Sequence, residues 1–159
     1  MSALRREVQQ GYGEQFMCKS TGKFRILLVG ASPLLEAEAL GLEHPALTFV
    51  AADSARVAAS RDSIRDCDVV AVNLDLGSGL DLLASLCNRP DAIPVIGIGS
   101  RGLRGSSLEH LLLLAELRGA AAALPGPIDA IELALVALDL AHVSGFDQVT
   151  SELERRLAC

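Results

Sequence analysis

Asp68-Val69-Val70-Ala71-Val72-Asn73-Leu74-Asp75-Leu76-Gly77-Ser78-Gly79 decides the fold. One charged residue precedes four unbroken apolar ones, and these empty into a polar, glycine-rich turn. A strand buried on both faces reads this way, because each face of a parallel sheet is covered by helices and no alternation survives. The turn that follows stands at the carboxyl end of such a strand, where functional loops collect.

The same theme recurs outward in both directions. Phe24-Arg25-Ile26-Leu27-Leu28-Val29 ends at Gly30-Ala31-Ser32-Pro33. Ser32 suits an N-cap and Pro33 a first helical turn, so a helix to about Gly41 is expected. Leu47 to Ala51 reads as a second strand, and Asp53-Ser54 as the cap of a helix to about Arg65. After the central strand come a helix from Gly79 or Leu80 to Leu86, a break at Asn88 to Asp91 and a strand at Ile93 to Ile98. A helix from Ser106 to about Arg118 ends at Gly119 as a C′ glycine. Ala120 to Leu124 is the fifth strand, and Pro125-Gly126-Pro127 turns into a last long helix, Ile128 to Val143.

Five strand–helix alternations with short connections predict an α/β fold. Right-handed crossovers make it a doubly wound five-stranded parallel sheet of flavodoxin-like order 2-1-3-4-5. With 159 residues the chain is one domain in size. Its expected organisation is an arm over 1–23, helical from about 3 to 10, a domain over 24–143 and a C-terminal helix over 144–159. In that helix Phe146, Val149, Leu153 and Leu157 form a narrow apolar stripe that calls for a partner, as a linker or the start of a coiled coil. The stop at Cys159 leaves a longer chain as the expectation.

Composition removes several function classes. Fourteen basic against twenty acidic residues give a net charge of −6, without Trp and with one Tyr and four Phe. Neither a phosphate-neutralising surface nor a set of base-stacking platforms is provided, so direct nucleic-acid binding is not expected. Cys18, Cys67, Cys87 and Cys159 have no metal-ligand spacing and read as free thiols. Asp129, Glu132 and Asp139 interrupt the longest apolar stretch, and residues 1–23 lack an apolar signal core. A cytoplasmic protein without membrane contact is expected.

Asp68 to Asn73 followed by Gly79-Leu80-Asp81-Leu82-Leu83 resembles the third strand and helix of response-regulator receiver domains, the CheY-like fold. Ile93-Pro94-Val95-Ile96 is similar to their fourth strand, and Gly119-Ala120 with Gly126-Pro127 to the segment carrying their Lys-Pro pair. The resemblance covers about 24–143 and implies a phosphoacceptor Asp, two acidic Mg²⁺ ligands, a hydroxyl and a lysine. At those places stand Asn73, then Gly30 and Ala31, then Gly99 with Ser100 next to it, and Gly126. An amide is no carboxylate nucleophile, and neither Gly nor Ala ligates a metal through its side chain. The loop after Asn73 is also about two residues shorter than the family pattern. The resemblance is therefore to a degenerate receiver, a pseudo-receiver of the kind that precedes ANTAR outputs in antitermination regulators.

Asp75 is the one carboxylate that could replace the acceptor, but it lacks a metal cluster and a cation to spread transition-state charge. Asn73 and Asp75 are expected instead to hydrogen-bond the backbone of a tight turn. Gly97-x-Gly99-x-x-Gly102 follows the wrong strand for a dinucleotide fingerprint. His44, His110 and His142 fall on separate elements, and no nucleophile and base stand at a recognisable spacing. Neither an enzyme nor a cofactor is expected.

The expected function is a phosphorylation-independent regulatory module working through a homodimer or a partner regulatory protein. On the fourth helix Glu109 and Glu116 mark the outer face, flanked at about 50° by Leu112 and Leu113. These four residues are the expected interface. The alternative is a flavodoxin-like binder of a small anionic ligand, with Ser32, Asp75, Ser78 and Ser100 as candidate contacts.

Overall fold

The computed structural model describes residues 23–53, 62–89, 93–101, 107–141 and 147–158. The expected arm over 1–23 and the helix start at Asp53-Ser54 fall outside them, apart from Lys23 and Asp53 themselves. The strands are β1 (Phe24–Val29), β2 (Leu47–Ala52), β3 (Val69–Asn73), β4 (Val95–Gly99) and β5 (Ala122–Pro125). The helices are α1 (Pro33–Gly41), α2 (Asp62–Arg65), α3 (Gly79–Cys87), α4 (Leu108–Leu117), α5 (Ala130–Ala141) and α6 (Asp147–Ala158).

All four strand pairings are parallel, and the order is β2-β1-β3-β4-β5. The doubly wound flavodoxin-like sheet expected from the alternation is the one observed. β3 lies at its centre, with Val69, Val70, Ala71 and Val72 all buried, which is why its sequence shows no polar alternation.

Successive side chains of each strand serve opposite layers. Ile26, Leu28, Val69, Ala71 and Ile96 face α1 and α5. Leu27, Val29, Val70, Val72 and Val95 face α3 and α4. Local signals fix the helix ends. Ser32 Oγ accepts from the Leu35 N–H at 3.3 Å with Pro33 in the first turn, and Gly119 closes α4 at φ +110°. The start of α5 lies two residues later than expected, because Asp129 Oδ1 accepts from the Glu132 N–H at 2.8 Å and caps the helix there.

The apolar stripe of α6 finds part of its partner within the chain. Leu153 is fully buried in the α1/α5 layer. Beside it His44 Nε2 lies 3.0 Å from Glu152 Oε2, while His44 Nδ1 accepts from the Ala46 N–H. Since Nδ1 accepts, Nε2 carries the proton and donates to the carboxylate. That hydrogen bond, with a smaller contribution from Arg156 at 2.9 Å, holds the Glu152 carboxyl below its ordinary range. Among the described residues no helix is long and apolar enough to cross a membrane.

Candidate functional site

The carboxyl ends of β1, β3 and β4 meet at Asn73. Its Nδ2 donates to the Gly30 carbonyl at 2.9 Å, and its Oδ1 accepts from the Asp75 N–H at 2.9 Å. The amide thus spends one donor and its acceptor on holding the β1 turn to the β3 turn, an Asx-turn extended across the sheet. A carboxylate at this position could not donate to Gly30.

Asp75 continues the network to β4. Its Oδ2 accepts from Ser100 Oγ at 2.5 Å, and its Oδ1 from the Arg101 N–H at 2.9 Å and the Ser100 N–H at 3.1 Å. Burial pushes this carboxyl up. The Ser100 hydroxyl, the two backbone N–H groups and the Arg101 charge outweigh it and hold the group below the usual aspartate range. The turn that the sequence predicts is present, and its carboxylate also binds a second loop.

Gly30 has φ +64°, a conformation open to glycine at little cost. Leu76 closes the space above it, since a Cβ on Gly30 would collide with Leu76 Cδ1. A side chain at position 30 would need Leu76 to move aside and would be strained by the positive φ. The short loop after Asn73 has a physical basis in Gly79, where a Cβ would lie 2.5 Å from the Asn73 carbonyl oxygen. Only glycine lets α3 begin so close to the end of β3.

Ser100, not Gly99, supplies the hydroxyl. Gly99 faces the other layer, where a Cβ would approach Leu111 Cδ2 to 3.0 Å, and its carbonyl accepts from the Gly126 N–H at 2.8 Å. The Gly126–Pro127 peptide is cis. Ser32, Asn73, Asp75, Ser100 and Gly126 gather round one cavity of about 330 Å³, with Ala31 in its wall. Ser78 stands apart at the start of α3, exposed and without a side-chain cap hydrogen bond. The floor and walls are apolar, from Leu28, Leu35, Ala71, Ile98, Pro127 and Ile128. Nothing in the sequence marks these as lining. Ala71 gives the one retrospective signal, as the smallest residue in the central strand.

Mg²⁺ does not fit here. Among the described residues Asp75 is the only carboxylate in the cavity lining, its oxygens are engaged by Ser100 and Arg101, and no group of three metal-ligating side chains occurs.

The four expected interface residues separate. Glu109, Glu116 and Leu113 are exposed, whereas Leu112 packs half-buried against the α3/α4 layer. Leu117, one turn beyond Leu113, is 74% exposed and extends the apolar ridge.

Comparison with solved structures finds response-regulator receiver domains, among them atypical orphan regulators. A response regulator from Thermotoga maritima superposes with a TM-score of 0.60 at 16% identity, over 76% of this chain and 98% of that one. HP1043, an orphan response regulator of H. pylori, gives 0.56 at 18%, over 74% and 95%. NtrX from Brucella abortus, solved with ADP, gives 0.59 at 24%, over 86% of this chain but 30% of its own length. At these identities the likeness is one of fold: the chain has the receiver architecture. Neither protein-family models nor curated proteins gave a match.

Proposed function

We propose that this chain is a regulatory module of receiver architecture that works without aspartyl phosphorylation, a pseudo-receiver in a signalling pathway. One observation carries the reading: the Asp75 carboxylate already binds the Ser100 hydroxyl and the N–H groups of Ser100 and Arg101. An internal anion holds together the β3 and β4 loops that a bound phosphoryl group would otherwise have to join. Asn73 offers no acceptor carboxylate, and Leu76 fills the space over Gly30. The module is not itself an enzyme.

Regulation then passes through contacts. The Leu113–Leu117 ridge, edged by Glu109 and Glu116, is the surface for a second copy or a partner regulatory protein, in the cytoplasm. The test is incubation with acetyl phosphate and Mg²⁺ followed by intact-mass measurement. No phosphoryl increment is expected, and a stable adduct on Asp75 would overturn the proposal.

A further inference from the structure

The cavity at the carboxyl ends of β1, β3 and β4 has a volume of about 330 Å³. That is on the order of ten water molecules' share of liquid volume, and it falls at the small end of the range of ligand sites. Its origin is local. Ala71 offers only a methyl group in the middle of the sheet floor, Gly126 contributes no side chain, and Leu28 and Ile98 stand on the neighbouring strands.

The lining decides what the cavity accepts. Among the described residues it contains no Lys, Arg or His, and its walls are aliphatic, so burying a charge of either sign is costly. Asp75, the single ionised group among the described lining residues, repels an anion, and its oxygens already receive Ser100 and Arg101. What the polar rim still offers is donors. Asn73 Nδ2 gives one hydrogen to Gly30 and keeps the other, and the Ser32 hydroxyl, whose oxygen accepts from Leu35, keeps its proton.

We propose that this cavity is a binding site for an uncharged, mostly apolar small molecule of about ten non-hydrogen atoms carrying a carbonyl or hydroxyl oxygen toward Asn73 and Ser32. The small anionic ligand of the alternative sequence reading is disfavoured by the same lining. As a signal input the site rests on the regulatory reading above. As a binding site it stands without it.

The experiment titrates the methyl-labelled full chain with acetophenone, and separately with benzoate, an anion of similar size, following methyl NMR signals. Acetophenone produces saturable shifts at Leu35 and Ile128, and benzoate at the same concentration produces none. Ala31→Leu and Ala71→Val, two independent ways of filling the space, each weaken acetophenone at least tenfold. No saturable shift up to the solubility of acetophenone overturns the site. Benzoate binding as tightly as acetophenone overturns the assignment of charge, and unchanged affinity in a folded filling variant overturns the location. Acetyl phosphate labelling is read on the same samples: a labelled Asp75 with acetophenone bound removes the regulatory reading and leaves the site, whereas an unlabelled chain that binds nothing does the reverse.

Discussion

Ser100 and Asp75, separated by 25 positions in the chain, are joined by a hydroxyl-to-carboxylate hydrogen bond of 2.5 Å. The Arg101 N–H adds a second bond to the same carboxylate at 2.9 Å. A charge-assisted pair of this kind is shorter and stronger than a neutral one. It makes the relation between the β3 and β4 loops a built-in property of the chain.

The first prediction concerns pH. Burial raises the Asp75 carboxyl, but the Ser100 hydroxyl, the Arg101 and Ser100 N–H groups and the Arg101 charge leave it lower in the folded chain than the unfolded value of about 3.9. A depressed folded pKa contributes stability that is fully present above the unfolded value and is lost as pH falls through the folded one. The tie between the loops is therefore intact at neutral pH and loosens only below about pH 4. Carboxyl ¹³C NMR should give a midpoint for Asp75 below that of a free aspartate. Ser100→Ala should move it upward, and a midpoint unmoved by that variant would remove Ser100 as a cause.

A carboxylate at position 73 alone should not make the chain a phosphoacceptor. Asn73→Asp supplies a nucleophile but removes the donor to Gly30 and sets a second carboxylate beside Asp75. No acidic pair follows β1 to hold Mg²⁺, where Gly30 and Ala31 stand instead. Intact mass after acetyl phosphate and Mg²⁺ should show no increment for this variant. Its melting temperature should fall, because the amide's donor role is lost and like charges meet.

The frame of the molecule was legible because it rests on local signals. β1 and β3 announce themselves as unbroken apolar runs, Ser32-Pro33 as a helix start and Gly119 as a stop. The positions that the receiver resemblance picks out, Asn73, Gly30, Ala31 and Gly126, were legible for the same reason, since they follow or end recognisable strands. What joins distant positions was not. Periodicity cannot tell that Leu76 folds over Gly30, that Asp75 reaches Ser100, or that Ala71 stands at the floor of a cavity. Leu112 shows the limit of helical spacing. At the edge of an outward arc it reads as exposed, and only the neighbouring α3/α4 layer decides that it is half-buried.

That difference on α4 gives a paired prediction. Leu113 is 52% exposed and Leu117 74%, whereas Leu112 packs on the core layer. Leu113→Glu and Leu117→Glu should leave thermal stability within about 0.5 kcal/mol, the range for surface substitutions. Leu112→Glu should lower it clearly, since it desolvates a charge against aliphatic neighbours. If the ridge joins subunits, light scattering should show a smaller particle for Leu113→Glu and Leu117→Glu than for the wild type. An unchanged mass in both would remove the ridge as an interface.

The last prediction tests how α6 is held. Leu153 is fully buried among the α1/α5 layer side chains, and His44, 108 positions earlier, donates to Glu152 one residue away from it. Leu153→Ala removes a buried aliphatic side chain and leaves a cavity, a change worth about 2–5 kcal/mol where the surroundings relax little. Chemical denaturation should register that loss. Glu152→Gln alters only a partly exposed polar contact, so it should cost less than Leu153→Ala. The Glu152 bond has a pH signature of its own. Its carboxyl is held low chiefly by the His44 hydrogen bond, so the contribution is present above the ordinary glutamate range and is lost as pH falls through the folded value. Amide exchange in residues 150–158 should therefore accelerate on acidification in the wild type more than in Glu152→Gln. Equal acceleration in both would show that Leu153 alone seats the helix, and unchanged stability in Leu153→Ala would show that the helix is not seated at all.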